Sequence, residues 1–142
     1  MVAEELRKNG LNIENLDGIK VVPYIYELQE VMSACEIMLC RSGAITITEI
    51  ANLGKPSILV PLPNVSHDHQ QYNAEVLENL EAAKIIKNNE LSAERLNKEI
   101  TEILSKDLIQ KMGENAKKAS IANVQDKIYK EIKELLEGNS SK

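Results

Sequence analysis

The residues best suited to chemistry lie in one short run, where an apolar stretch ending at Cys40 leads through Arg41-Ser42-Gly43 into a helical pattern. A turn of this kind leaves free backbone N–H groups at the start of the helix, and these groups attract a phosphate. Gly43 lets a ligand approach the backbone closely because it has no side chain. The run therefore predicts an anion site at a strand-to-helix turn.

Glu49 lies about two turns into the same helix. Its two carboxylate oxygens can accept hydrogen bonds from the two hydroxyls of a ribose. The local pattern alone favours a plainer interpretation, in which Ser42 caps the helix and Glu49 is a solvated surface residue. Both interpretations stay open at the level of this motif.

A second candidate region is the segment 63–74, which is crowded with hydrogen-bonding side chains. Such a loop suits a sugar, whose hydroxyls need donors and acceptors in fixed places. His67 and His69 supply only two metal ligands and no third cluster accompanies them, so we expect no metal. The sequence also has no glycine-rich dinucleotide fingerprint, P-loop, nucleophile elbow or Cys/His pair at catalytic spacing, so a complete active site is not expected.

The elements that must position these residues alternate along the chain. Apolar runs rich in β-branched residues predict strands at residues 19–24, 37–40, 57–60 and 83–86. Helical spacing of apolar residues predicts helices at 27–34, 44–53 and 70–80. This order is typical of an α/β fold with a parallel sheet and helices on both faces. Ligands of such sheets bind at the carboxyl ends of the strands, so residues 24–28, 42–46 and 64–71 are expected to converge on one rim.

Residues 92–137 follow a helical pattern with no further strand. The last part carries one apolar stripe on an otherwise charged helix, formed by Val124, Ile128, Ile132 and Leu135. We expect this stripe to need a partner and to promote self-association. Residues 1–8 are helical without a preceding strand, which we interpret as entry into the fold midway through a strand-helix unit.

Composition limits the class of protein. The 142 residues are 43% hydrophobic, which suffices for one domain with a core. The net charge is −5 and basic residues are interleaved with acidic ones, so nucleic acid is not an expected partner. Every apolar stretch is far shorter than the ~20 residues that cross a bilayer. We therefore expect a cytoplasmic domain, with Cys35 and Cys40 as reduced core residues.

Three motifs occur in order: RSGAITITEIA at 41–51, GKPSILVP at 54–61 and HQQYNA at 69–74. In this order they resemble the C-terminal domain of the MurG family, peptidoglycan N-acetylglucosaminyltransferases with the two-domain GT-B architecture. The resemblance covers nearly the whole chain and favours the ligand-binding interpretation of Glu49. It implies that residues 1–142 form a truncated Rossmann-like donor domain that binds UDP-N-acetylglucosamine.

The resemblance also implies roles residue by residue. Ile25 would meet the uracil edge through its backbone and Leu28 would pack near the base, while Glu49 would hold the ribose diol. The nucleotide would be lined by the backbone amides and hydroxyls of five consecutive residues, Ser42, Gly43, Ala44, Ile45 and Thr46.

The hydroxyls of the N-acetylglucosamine ring would be read by Gln70 and Gln71, with Asn73 nearby. No metal or other cofactor is implied. The family's N-terminal domain binds the lipid-linked muramyl-pentapeptide, contacts the cytoplasmic face of the membrane and supplies the base. The resemblance predicts that this sequence contains neither that domain nor the glycine-rich first turn of the C-terminal domain. We therefore expect no catalytic residue in this chain, weak binding of the UDP-sugar and no transfer.

Three other interpretations remain. The chain can be a small UDP-N-acetylglucosamine-binding subunit that works beside a membrane partner, like the soluble subunit of the eukaryotic dolichol-linked N-acetylglucosaminyltransferase. It can be a sugar-nucleotide epimerase, although the usual Asp-Ser-Gly-Gly run of those enzymes is replaced here by Arg41-Ser42-Gly43-Ala44. The helical C-terminal segment can also be a docking element without any ligand.

Overall fold

The computed structural model describes residue 8 and residues 18–63, 68–105, 108–120, 129–130 and 132–134. These residues belong to two compact units, Met1–Val31 and Met32–Lys142. Some predicted features lie outside the described residues. They are the opening helix except Lys8, loop positions 64–67 with His67, and Val124, Ile128 and Leu135 of the last stripe.

The first unit contains no strand within its described residues, so the strand predicted at residues 19–24 is wrong. Ile19 is 57% exposed and Tyr24 is 68% exposed. β-Branched composition favours a strand only where a neighbouring strand and a packed face are available. Pro23 also lacks the N–H that a central strand needs. The helix predicted at 27–34 is confirmed as α1, Leu28–Ala34.

The second unit contains a parallel sheet of three strands, β1 (Met38–Cys40), β2 (Ser57–Leu59) and β3 (Ala83–Ile85), in that order. Met38 pairs with Ser57, and Ser57 pairs with Ala83. Main-chain hydrogen bonds continue just past the strands, from Val60 N–H to the Cys40 carbonyl oxygen at 2.9 Å and from Ile86 N–H to that of Leu59 at 2.9 Å. The three remaining strand predictions are thus confirmed to within one residue.

Helices follow the strands as the alternation predicted. They are α2 (Ala44–Leu53), α3 (His69–Asn79), α4 (Ala93–Ser105) and α5 (Leu108–Lys118), with a short 3₁₀ helix at Asn88–Glu90 after β3. α4 begins at a serine cap, because Ser92 Oγ accepts a hydrogen bond from Arg95 N–H at 3.1 Å. Residues 129–130 and 132–134 of the predicted last helix are helical, and Ile132 is about half exposed. No helix among the described residues is long and apolar enough to cross a membrane.

Both faces of the sheet are covered by helices. Successive residues of β2 point to opposite sides, so each face has its own buried cluster. On one side Leu59 belongs to a buried cluster that includes Met32, Ile50, Ala74 and Leu77. On the other side Ile58 and Val60 pack with Ile103 of α4 and Met112 of α5. Full burial of such a side chain stabilises the fold by about 1.5–3 kcal/mol. Helices on both faces of a parallel sheet were predicted, and this prediction is confirmed.

A glycine pair joins the end of α2 to α5. Gly54 has φ +65° and donates its N–H to the Ala51 carbonyl oxygen at 3.2 Å, a left-handed helix end that glycine adopts at low cost. A Cβ atom on Gly113 of α5 would lie 2.6 Å from the Gly54 carbonyl oxygen. α5 therefore packs directly on the backbone of the turn after α2.

We expect Gly113→Ala to lower the free energy of unfolding by about 1–3 kcal/mol, because the new methyl group would push a backbone atom away. Without this contact, alanine would stabilise the helix by up to ~1 kcal/mol. Urea unfolding followed by circular dichroism measures the difference. Gly43→Ala is the matched control, since its Cβ would meet only Thr46 Oγ1, at 3.9 Å. A Gly113→Ala variant as stable as the wild type would contradict the close packing.

Cys35 and Cys40 were predicted to be reduced core residues, and both are free thiols that are partly buried. Cys35 belongs to neither core cluster of the described residues. Cys40 ends β1 and packs against the core cluster around Leu59. Burial raises the pKa of the Cys40 thiol from 9.0 to about 11. This residue directly precedes the predicted anion turn, and at neutral pH it adds no negative charge there.

We expect Cys40 to resist alkylation by iodoacetamide at about pH 8 in the folded chain and to react quickly in urea, because the thiolate is the nucleophile. The folded pKa lies above the unfolded one, so this residue's contribution to stability is complete below about pH 9 and is lost between about pH 9 and 11. Mass spectrometry of a Cys35→Ser variant, in which Cys40 is the only thiol, measures both rates. Equal rates in the folded and unfolded chains would contradict this expectation.

Candidate functional site

The predicted anion turn lies at the carboxyl end of β1. Gly43 is the N-cap of α2, with φ −63° and ψ 150°, and no side chain caps the helix. The amides of Ala44, Ile45 and Thr46 precede the first ladder bond, which runs from Ile47 N–H to the Gly43 carbonyl oxygen at 3.0 Å. The first turn of α2 contains no acidic residue, so the positive end of the helix dipole is not neutralised by its own helix.

Ser42 is not the helix cap that the local pattern favoured. Its side chain is fully buried, and its hydroxyl donates to the main-chain carbonyl oxygen of Gln70 at 2.8 Å. Asn73 Nδ2 donates to the Ser42 carbonyl oxygen at 3.0 Å. Gly43 is the N-cap instead, one residue later than the capping interpretation predicted, because the Ser42 hydroxyl is turned inward. These two bonds bring the turn and the start of α3 together, as predicted for residues 42–46 and 64–71, of which the structure describes 68–71 of the second segment.

The two glutamines at the start of α3 make different contacts. Gln70 Oε1 accepts a hydrogen bond from Leu62 N–H at 2.9 Å, which fastens the chain after β2 to α3. Gln71 Nε2 donates to Glu75 Oε1 at 2.8 Å, one helical turn away. Gln71 also lines a cavity of about 530 Å³ at the carboxyl ends of β2 and β3. Other residues around this cavity include Pro61, Pro63, Asp68, Lys87 and Asn88.

Glu49 is half-buried in the middle of α2. Ile45 lies one turn earlier on the same side of the helix and is 78% exposed. None of the residues that the structure describes forms an ion pair or a hydrogen bond with the Glu49 carboxylate. Its oxygens are therefore available to hydroxyl donors from a ligand.

Ile25 and Leu28 belong to the first unit. Ile25 is 38% exposed, and Leu28, which begins α1, is 44% exposed. Their contacts with a base stay a prediction. Within the described ranges, which include His69 but not His67, no three His, Cys, Asp or Glu residues are grouped as a metal site would require.

Part of the rim was missed by reasoning from the sequence. Arg41 Nη1 donates to the Val60 carbonyl oxygen at 3.0 Å and to Asn88 Oδ1 at 2.7 Å. Lys87 and Asn88 follow the carboxyl end of β3 and lie at the same cavity as Gln71. The rule that ligands bind at strand ends applies to β3 as well. Applied to residues 86–90, this rule would have identified Lys87 and Asn88 as residues that line the cavity.

Residues 3–129 match the glycosyltransferase family 28 C-terminal domain. A similar curated protein is the UDP-N-acetylglucosamine–N-acetylmuramyl-(pentapeptide) pyrophosphoryl-undecaprenol N-acetylglucosamine transferase of Ruminiclostridium cellulolyticum, which is 45% identical over 121 residues. That alignment covers 84% of this chain and 33% of the relative. The chain thus spans about a third of the length of the relatives it matches.

Two solved structures share the fold. MurG from Acinetobacter baumannii superposes with a TM-score of 0.75 at 32% identity, over 82% of this chain and 35% of that one. The glycosyltransferase VinC superposes with a TM-score of 0.67 at 21% identity, over 82% of this chain and 27% of that one, and it shows the fold alone. The predicted Rossmann-like α/β architecture of the GT-B enzymes is confirmed. By its profile match over residues 3–129, the chain belongs to the glycosyltransferase family 28 C-terminal domain family.

Proposed function

We propose that this chain is the donor-binding half of an inverting glycosyltransferase that transfers N-acetylglucosamine from UDP-N-acetylglucosamine to a lipid-linked muramyl-pentapeptide in peptidoglycan synthesis. The observation that carries the proposal is the glycine-capped start of α2, which hydrogen bonds of Ser42 and Arg41 connect to α3 and to Asn88 in the wall of a cavity of ligand size. The names of the relatives and of the MurG structure support the choice of reaction.

The diphosphate of the donor would lie on the amides of Ala44, Ile45 and Thr46. Main-chain N–H groups at a helix start bind phosphate oxygens with both hydrogen bonds and the helix dipole. A hydrogen bond to a charged group contributes about 1.5–3 kcal/mol. Ser42 and Asn73 support this site indirectly, since their bonds hold the turn against α3.

The nucleoside would be held further along α2. Glu49 is the acceptor for the ribose diol, because its carboxylate offers two oxygens that no described residue occupies. The exposed Ile45 one turn earlier offers an apolar surface next to it.

The sugar ring would occupy the cavity lined by Gln71. Its volume of about 530 Å³ falls in the range of small-molecule sites. Among the described residues, the Gln71 side chain is bonded only through its nitrogen, to Glu75, so its amide oxygen stays an acceptor. In addition to its proposed contact with the sugar, Gln70 holds the chain after β2, because its Oε1 accepts a hydrogen bond from Leu62 N–H.

In the proposed reaction the acceptor hydroxyl attacks the anomeric carbon with inversion, and UDP leaves. The helix amides stabilise the charge that develops on the diphosphate, and they need no reorganisation because the fold already orients them. We place the base and the lipid-linked acceptor site on parts of the enzyme outside this chain. As the family resemblance implies, the reaction would take place at the cytoplasmic face of the membrane, and this chain alone would bind donor without transferring sugar.

We expect the chain to bind UDP more tightly than ADP, with a Kd of roughly 0.1–10 mM. Glu49→Ala should weaken UDP and UDP-N-acetylglucosamine alike, by about tenfold for a lost charged hydrogen bond. Gln71→Ala should weaken only the sugar nucleotide. Calorimetry or NMR titration measures the dissociation constants of UDP and UDP-N-acetylglucosamine for the wild type and both variants, and that of ADP for the wild type.

The control for Gln71 is Gln110→Ala, because Gln110 makes the same one-turn contact, to Glu114 at 2.9 Å, on α5. This control should leave both ligands unaffected. If Glu49→Ala and Gln71→Ala weaken the two ligands equally, the division between ribose and sugar contacts is wrong. If the wild-type chain shows no preference for uridine over adenosine, the proposed function is wrong.

We expect Gly43→Ala to weaken UDP by at least about tenfold while the fold stays within about 1 kcal/mol of the wild type. In the free protein the added methyl group meets only Thr46 Oγ1, so the steric conflict would be with the bound phosphate. Thermal unfolding and nucleotide titration of the same sample separate the two effects. Unchanged affinity would show that the diphosphate does not lie on this turn.

A further inference from the structure

Arg41 opens the most informative motif of the sequence, yet the proposed donor site gives it no role. Its Nη1 atom donates to the Val60 carbonyl oxygen at 3.0 Å and to Asn88 Oδ1 at 2.7 Å. Arg41 directly follows β1, Val60 directly follows β2, and Asn88 begins the 3₁₀ helix after β3. One guanidinium therefore connects the carboxyl ends of all three strands.

The connection lies next to the open amides. Arg41 precedes Ser42, whose hydroxyl and carbonyl oxygen are bonded to α3 from the other side. The turn is thus held between two sets of hydrogen bonds, one to α3 and one to the segment after β3. Removal of either set frees one side of the turn that carries the amides.

Asn88 also belongs to the wall of the cavity that Gln71 lines. The Arg41–Asn88 bond consequently fixes the position of the phosphate turn relative to this wall. The two parts of a nucleotide-sugar, the diphosphate and the ring, have a fixed separation. A site that binds both needs its two halves at a matching distance.

We propose that Arg41 is a positioning residue of the donor site, which acts through its bridge to Val60 and Asn88 and holds the amides of the Ser42–Thr46 turn in register with the sugar cavity. This inference rests on the proposed function for its ligand. The planar guanidinium is suited to the role, because it donates to two acceptors in one fixed plane, whereas a lysine ammonium holds neither direction.

The competing role for Arg41 is direct contact with the diphosphate. The two roles predict opposite effects of Asn88→Ala. If Arg41 positions the turn, loss of its partner weakens nucleotide binding. If Arg41 contacts the phosphates itself, loss of Asn88 releases the guanidinium toward the ligand, and binding stays the same or becomes tighter.

The experiment titrates UDP and UDP-N-acetylglucosamine into the full 142-residue chain and three variants. Asn88→Ala and Arg41→Lys should each raise both dissociation constants by about three- to tenfold, the second even though the positive charge is kept. Asn52→Ala is the matched control. Asn52 Oδ1 accepts a comparable surface hydrogen bond, from Ser120 Oγ at 2.6 Å, at the other end of α2, and its loss should leave both constants unchanged.

A second measurement needs no ligand. In ¹⁵N correlation spectra of the free chain, Asn88→Ala and Arg41→Lys should shift or broaden the amide signals of residues 42–46, while Asn88→Asp, which keeps an acceptor for the guanidinium, should retain the wild-type pattern. Unchanged amide signals in Asn88→Ala, or affinity equal to or tighter than wild type, would overturn the positioning role. A wild-type chain that binds no uridine nucleotide would refute the proposed function, and the spectra alone would then decide whether the bridge holds the turn.

Discussion

The central strand β2 is buried on both faces, and the geometry of the second unit follows from this burial. Ile58 and Leu59 have no accessible surface and point to opposite sides of the sheet. The main-chain N–H and C=O groups of a strand covered on both sides are shielded from water and need hydrogen-bond partners. β1 and β3 supply these partners. The parallel register that results brings the carboxyl ends of the three strands to one edge. Every candidate site residue of this unit lies at that edge or on a helix that begins there.

Backbone amides make a precise anion site only if the turn that carries them is rigid. In this chain the turn is held by side chains whose hydrogen bonds go to other parts of the protein. The Ser42 hydroxyl and the Asn73 amide hold it to α3, and Arg41 holds it to the segments after β2 and β3. In the proposed site, the motif around Gly43 combines main-chain donors for the ligand with polar side chains that orient those donors. This division explains why a buried serine stands beside a glycine that carries no side chain at all.

The acidic composition of the chain does not conflict with an anionic ligand. The net charge is −5, but charges more than about 8 Å apart are largely screened at physiological ionic strength. The field that a phosphate meets is set by the groups closest to it. At the start of α2 these are main-chain amides and a helix dipole with no acidic residue in the first turn. The Cys40 thiol next to this turn, whose pKa burial raises to about 11, is neutral at physiological pH and adds no negative charge.

Local patterns were sufficient for much of the fold. The bounds of α2 and the positions of three strands follow from periodicity within a few residues, because helix and strand periods are short-range properties. The strand predicted at residues 19–24 failed, since a strand also needs a partner that composition does not reveal. The sequence by itself determined which residue types stand at the ends of the strands. Only the tertiary structure decided that the Ser42 hydroxyl turns inward and that Arg41 meets Asn88, 47 positions away, because hydrogen bonds between distant segments depend on sheet register and leave no periodic trace in the chain.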